Sequence, residues 1–359
     1  MFGERLKLAR KKSGLSLRDL AGQLDPPVSA QAISLYERGV NAPSSGVLMG
    51  LCEALDCSLD FLLAGQVRSL DNLEFRKKAA STAKDRAKIE AMVIESLESY
   101  LDVESILDLP DPQDPFAGLR RDVDSPADIE KLAAELREAW TLGNDSIPSM
   151  VGLLEDHGVR IVQADLPERV SGLTCQVRRG GDQAPLFVIV VSSRANVERR
   201  RFTLAHELAH RVIAEVAIDG MAPEKAMDLF AGAFLVPADH LRAEVGDLRR
   251  RISYQEIKRL KHLYGVSASS MLVRLKQVGI LPESAVAQAF KTWARGWRTA
   301  EPEPIGEREG VAAFEKPRRF ERLAYRALAE QLISPARAAE LLQRPLGVVE
   351  QELQGPAPP

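Results

Sequence analysis

A chain of 359 residues, 45% of them hydrophobic, is too long for one ordinary core and carries apolar material for two or three domains. Its formal net charge of −3 provides no global basic field, so contact with a polyanion has to come from a local surface. No apolar run approaches the length of a membrane span, the first residues do not read as a signal peptide, and Cys52, Cys57 and Cys175 fall in no metal-ligand spacing. These features predict a cytoplasmic protein with reduced, buried thiols and no membrane partner. Sparse aromatics, at 5%, beside 28% charged residues point to a helix-rich chain.

Residues 1–66 read as four or five short helices in one compact unit. Leu6, Ala9, Leu17, Leu20 and Leu24 recur at helical spacing, Ser16 and Ser29 stand at N-cap positions, and Gly39 to Pro43 breaks the pattern. The run Ser16-Leu-Arg-Asp-Leu-Ala21, the run Val28-Ser-Ala-Gln-Ala-Ile-Ser-Leu-Tyr-Glu-Arg-Gly39, Arg10 and Leu59-Asp-Phe-Leu-Leu63 together resemble the phage-repressor (XRE) type of helix-turn-helix. In that geometry the helix beginning near Ser29 enters the major groove. Gln31 can then pair with adenine, Ser29 and Ser34 reach phosphate or base edges, and Arg18 and Arg38 belong to the basic face. The resemblance also implies that Arg10 and Glu37 form a structural ion pair. Seven Lys/Arg and seven Asp/Glu leave residues 1–66 neutral, so phosphate attraction is modest and affinity is expected to lean on a homodimer.

Residues 67–115 read as a connector. It is helical and charged from about Leu73 to Leu107, includes Phe-Arg-Lys-Lys at 75–78, and ends in a proline- and aspartate-rich linker at 108–116. Residues 116–285 form the next expected domain. Ser125-Pro126 opens an amphipathic helix, Pro148 to His157 forms a shorter one, and strands are predicted at 159–163, 173–177 and 186–191. Helices are then predicted from Val197 to about Ile218, from Pro223 to Phe234, and from Pro237 to about Gly279. Within the last of these, 253–281 has a helix-turn-helix look, with packing the expected role. Residues 286–359 read as a linker through Gly310 and a small helical tail that frays at Gly355-Pro-Ala-Pro-Pro. The sequence leaves open whether that tail dimerises, gates a cleft or caps it.

The chemistry is concentrated in His206-Glu-Leu-Ala-His210. Histidines four apart on a helix project from one face, one turn apart, so both can bind one tetrahedral ion. Glu207 lies beside them as a general base. Glu224 is the best candidate for a third ligand, because it opens the next helix after a turn at Gly220 to Pro223. Asp228, four residues on, lies on the same face and can accept the second ring N–H of a ligand histidine. His157, His240 and His262 have no partner at ligand spacing and are expected to be structural or surface residues.

The segment Arg-Arg-Phe-Thr-Leu-Ala-His-Glu-Leu-Ala-His at 200–210, followed by Glu-Lys-Ala-Met-Asp-Leu-Phe-Ala-Gly-Ala-Phe-Leu-Val-Pro at 224–237, resembles the ImmA/IrrE family of metallopeptidases. The resemblance implies that His206, His210 and Glu224 hold Zn2+, that Glu207 accepts the proton of an attacking water, and that the substrate is a repressor-type regulator in a stress, mobile-element or phage response. Thirteen residues separate His210 from Glu224, enough for a helix end, a turn and a return. The strand before the zinc helix is expected to pair with an extended substrate. Tyr254, Tyr264 and the arginines near them are weighed as oxyanion stabilisers, with nothing in the spacing to select one.

The expected fold is mainly α with a small β-sheet: an N-terminal all-α helix-turn-helix domain, an α+β zincin-like metallopeptidase domain and a helical C-terminal tail. The leading functional expectation is a DNA-binding regulator with a zinc-dependent endopeptidase domain. The alternative is a transcription factor or antitoxin-like regulator whose peptidase fold senses a signal or grips a toxin-like partner without proteolysis.

Overall fold

The computed structural model describes residues 2–63, 65–71, 83–168, 170–180, 183, 185–306 and 314–354. The basic run at 75–78, the linker end at Gly310 and the terminus from Gly355 lie outside the described residues. In chain order the first elements are α1 (Phe2–Ser13), α2 (Leu17–Gln23), α3 (Ala30–Glu37), α4 (Ser45–Leu55), α5 (Leu59–Leu63), β1 (Val67–Asp71) and α6 (Ala83–Ile106). Next come β2 (Arg121–Val123), α7 (Pro126–Ala139), α8 (Met150–Asp156), β3 (Arg160–Ala164), β4 (Gly172–Arg179), β5 (Leu186–Ser192), α9 (Val197–Val212) and β6 (Ile213–Val216). The remainder is α10 (Pro223–Leu235), α11 (Ala238–Val245), α12 (Tyr254–Tyr264), α13 (Ala268–Gln277), α14 (Glu283–Lys291), α15 (Arg319–Ala329), α16 (Pro335–Leu342) and α17 (Leu346–Gln354). Two compact units result: residues 1–113, 175–187 and 318–359 make one, and 114–174 and 188–317 the other.

In the first unit, helices α1 to α5 close over Leu6, Leu20, Ile33, Leu51 and Leu55, all fully buried. Local chemistry sets the boundaries. Ser16 and Asp19 form a reciprocal capping box at the start of α2, and the Ser29 and Ser44 hydroxyls accept from Ala32 and Val47 at the starts of α3 and α4. Gly3 lets α1 approach α3 closely, since a Cβ there would lie 2.4 Å from the Glu37 carbonyl oxygen. Arg10 donates to both oxygens of Glu37, at 2.6 and 3.0 Å, which is the ion pair the resemblance implies. Cys52 and Cys57 are half-buried and unbridged, and burial pushes the Cys57 thiol up to about 12.

The expected connector is part of this unit's core. Val93, Leu97 and Leu101 of α6 are buried, and α6 packs along α1. Arg5, itself buried, pairs with Glu98 of α6 and donates to the Val67 carbonyl at 2.8 Å. Strand β1, which periodicity did not announce, pairs antiparallel with residues 176–179 of β4. At the far end of α6, Val103 and Leu107 form a cluster with Ala327 of α15 and Leu341 of α16. The tail helices therefore pack against α6.

In the second unit, Ser125 caps α7 with Pro126 in its first turn, as the Ser-Pro pair predicts. β3 and β5 pair in parallel, from Arg160 opposite Val188 to Ala164 opposite Ser192. On its other edge β5 meets the beginning of β4, where Ser192 N donates to Ser171 O at 2.9 Å and the Thr174 hydroxyl to Val188 O at 3.3 Å. This corrects the expectation that β5 pairs with a substrate, because both of its backbone edges are already occupied.

The helix from Val197 also stops earlier than predicted, at Val212. From the β-branched Ile213 the chain instead continues as β6, which pairs in parallel with β2. Segment 253–281 does form two helices, but Ala268, Met271, Leu272 and Leu275 of α13 are buried, and Arg274 donates to Val236 O at 2.9 Å and pairs with Glu130. That helix packs on α10 and α12 through its buried face. No described helix is long and apolar enough to cross a membrane.

Candidate metal centre and nucleic-acid face

Asn196 caps α9 by accepting from Arg199 N at 3.0 Å, and the apolar positions Leu204, Ala205, Leu208 and Ala209 bury the helix around the motif. His206 and Glu207 are almost completely buried, with 1% and 4% of their surfaces exposed. The two imidazole centroids of His206 and His210 stand 5.1 Å apart. Pro223 starts α10, which packs on α9 and brings Glu224 from its first turn to the pair. Glu224 Oε2 lies 3.4 Å from His206 Nε2 and Oε1 lies 3.7 Å from His210 Nε2. Ligand atoms of these three residues all lie within 4.8 Å of one another, a cluster able to hold a metal ion.

That spacing fits a tetrahedral ion. Bonds of about 2.0–2.1 Å set ligand atoms roughly 3.3–3.4 Å apart, and two nitrogens with one carboxylate, leaving a fourth position open, is a donor set suited to zinc. Asp228 Oδ1 sits 2.8 Å from His206 Nδ1. A carboxylate only accepts, so the Nδ1–H donates to it and the Nε2 lone pair faces Glu224 and His210. Replacing Asp228 by Ala is expected to weaken zinc affinity about 10- to 100-fold while leaving three donors in place. Competition against a chelator of known affinity measures this, and an unchanged constant would remove Asp228 from the site.

Gly172 is the feature at this site that periodicity could not announce. A Cβ there would stand 2.5 Å from Thr203 Cγ2 and 2.9 Å from Val190 O, with Glu207 Cγ at 3.7 Å. Only a glycine lets β4 run this close to the motif helix. Gly172→Ala is expected to destabilise the unit by about 1–3 kcal/mol through overpacking. Adding Thr203→Ser, which removes the nearer obstacle, recovers part of the loss in thermal unfolding; no recovery would contradict this contact.

Sequence reading also missed the buried charges that hold α9. Arg201 and Glu315 are fully buried as an ion pair, and Arg201 further donates to Ile147 O at 2.7 Å and Tyr264 O at 3.2 Å. Burial pushes the Arg201 guanidinium pKa down from its ordinary value, and Glu315 opposes that shift. Glu315 also accepts from Met150 N at 2.6 Å and Val151 N at 3.2 Å, the first amides of α8. Nearby, Lys261 sits 2.8 Å from Glu198 and 2.7 Å from Glu301, and Glu198 accepts from Ile305 N at 2.9 Å. The visible signal was the arginine run at 199–201, read only as part of a motif.

The remaining histidines are structural or exposed. His157 stacks on Trp140 at 4.1 Å, His240 Nδ1 lies 2.9 Å from the Tyr264 hydroxyl, and His262 is exposed. The Tyr254 hydroxyl donates to Glu303 at 2.8 Å, so both tyrosines weighed as oxyanion stabilisers have their hydroxyls engaged.

On the helix-turn-helix, Gln31 is exposed in the first turn of α3, and Arg18 is exposed on α2. Ser29 is exposed and its oxygen accepts from Ala32 N at 3.1 Å, which leaves its hydrogen available to an external acceptor. Ser34 is half-buried. Arg38 is exposed and donates to Ser34 O at 3.3 Å. Gln31 and Ser29 therefore stand together at the start of α3, with Arg38 at its other end.

Residues 154–276 match the family described as the IrrE N-terminal-like domain, and residues 6–62 match the helix-turn-helix family. A curated relative, the uncharacterized HTH-type transcriptional regulator YqaE of Bacillus subtilis (strain 168), is 36% identical over 66 residues. That alignment covers 18% of this chain and 55% of the relative, so the chain spans about half the length of the protein it matches.

Proposed function

We propose, from the premise that this chain joins a helix-turn-helix transcription-regulator domain to an IrrE/ImmA-like domain, that it is a DNA-binding regulator whose second domain is a zinc-dependent endopeptidase acting on a repressor-type protein. The observation that supports this most is the convergence of His206, His210 and Glu224 from two helices, with Glu207 on the same helix as the histidine pair. A zinc ion held by those three residues supplies Lewis acidity that lowers the pKa of water and polarises a carbonyl. Glu207 accepts the proton of the attacking water and returns it to the departing amine. Asp228 orients His206 through Nδ1. His206 and Glu207 are buried, whereas Glu224 and Asp228 are about half exposed and face the open side of the site.

In the first domain, α3 is the helix that enters the major groove, with the exposed Gln31 and Ser29 at its start reading bases or phosphate, Ser34 on the same helix, and Arg18 and Arg38 contributing phosphate contacts. Because the domain is neutral, two copies on two half-sites supply the affinity.

The test uses the full chain, purified and assayed for zinc, then mixed with the repressor-type product of a neighbouring gene. Zinc near one equivalent and a single cut in the partner, stopped by chelation and restored by zinc, is the expected result. Zinc without any cut across neighbouring regulators and small toxin-like proteins would overturn the peptidase reading and leave a sensor or partner-binding module. Duplex binding that survives Gln31→Ala and Arg38→Ala together would overturn the assignment of α3.

A further inference from the structure

In the second unit, the turn after α11 carries Arg249, Arg250 and Arg251 in succession, and the three have different fates. Arg249 is used internally, donating to Val245 O at 3.0 Å and Glu256 at 2.9 Å. Arg250 and Arg251 are exposed and make no hydrogen bond or ion pair among the described residues. They line a cleft of about 340 Å³ whose floor includes Leu272 and Leu281 and whose wall includes Gln288 and Trp293. Trp293 is 44% exposed, an unusual state for so large an apolar ring. It is braced edge-on by Trp297 at 5.0 Å, which in turn contacts Tyr254 at 5.6 Å. Lys291 and Arg295, two residues to either side of Trp293, are exposed and likewise make no ion pair among the described residues. Glu283, an acidic residue at the start of α14, is already paired with Lys276 at 3.2 Å.

Unpaired guanidinium groups at the mouth of a cleft select phosphate, for which their planar fork is suited. A braced, half-exposed indole over an aliphatic floor selects a flat aromatic ring. The Gln288 side chain offers an amide that can donate and accept to a ring edge. We propose that this cleft binds a nucleoside phosphate, its base against Trp293 and its phosphate on Arg250 and Arg251. The ligand is either a free nucleotide or one unit of a single strand. Part of the cleft, from Leu281 to Trp293, lies beyond the matched domain at 154–276. The proposal does not depend on the metal centre or on the helix-turn-helix.

Calorimetry on the full chain tests it, with ATP, AMP, a single-stranded trinucleotide and inorganic phosphate as probes. A nucleotide or the trinucleotide is expected to bind more tightly than phosphate, and whichever arm binds identifies the source. Trp293→Ala is expected to weaken binding roughly 5- to 150-fold, the range set by loss of one base-stacking platform. Arg250→Gln with Arg251→Gln is expected to weaken it at least about tenfold and to flatten its salt dependence. All three side chains are exposed, and an unchanged melting temperature of the second unit shows that the variants remain folded. Phosphate binding as tight as nucleotide binding, no binding in any arm, or affinity unchanged in both variants would overturn the proposal.

Discussion

Replacing Glu315 by Ala is expected to destabilise the second unit by about 3–5 kcal/mol, the usual consequence of leaving one partner of a buried ion pair without the other. Both side chains of the Arg201–Glu315 pair are fully buried, and the same carboxylate satisfies the amides of Met150 and Val151. The variant therefore strands a guanidinium and two helix-start N–H groups together. Stability of a typical domain is only about 5–15 kcal/mol, so this is a large fraction of it. Trp140, Trp293 and Trp297 all belong to this unit, and tryptophan fluorescence during denaturation follows it selectively. The double change Arg201→Met with Glu315→Leu is expected to be less damaging than Glu315→Ala alone, because it removes the stranded charge. A loss below about 1 kcal/mol in the single variant would show that the pair does not hold α9.

Glu207→Gln is expected to retain zinc and lower the rate of peptide cleavage by about 10²- to 10⁴-fold, the range associated with a positioned general base. Gln preserves shape and hydrogen-bonding capacity but cannot take a proton, so metal content and unfolding should match the parent chain. His206→Ala is expected to behave differently: it removes a proposed ligand and the imidazole hydrogen-bonded to Asp228, so the ion should be lost as well as the activity. Comparing the two separates a proton-transfer defect from a metal-binding one. Undiminished cleavage in Glu207→Gln with zinc still bound would require a different base. Simultaneous loss of zinc would show that Glu207 is a ligand.

Much of the candidate centre was legible before any coordinates because its information is local. A spacing of four residues on an amphipathic helix places His206 and His210 on one face whatever the rest of the chain does. The Gly220 to Pro223 turn then placed the start of α10 and with it Glu224 and Asp228. The same locality made α1 to α5 readable, since their serine caps and leucine spacing act within a few residues. Misreadings fell where the deciding partner is distant. Whether Ile213 to Val216 continues a helix or pairs as a strand depends on Arg121 to Val123, about ninety residues earlier. Whether β5 has a free edge depends on β3 and on the start of β4.

By itself, then, the amino-acid order placed three residues that can bind a metal at one site, and marked a candidate helix for DNA contact beside a candidate catalytic domain. Helical period, capping and ligand spacing are short-range properties, set by backbone geometry over one or two turns. Only the tertiary structure decided that Gly172 must be small beneath Thr203, that Arg201 is answered by Glu315 from more than a hundred residues away, that α6 is core to its unit, and that Arg250 and Arg251 line one cleft with Trp293. Steric contact and desolvation depend on what the fold brings within a few ångströms, and no periodicity in the chain encodes that.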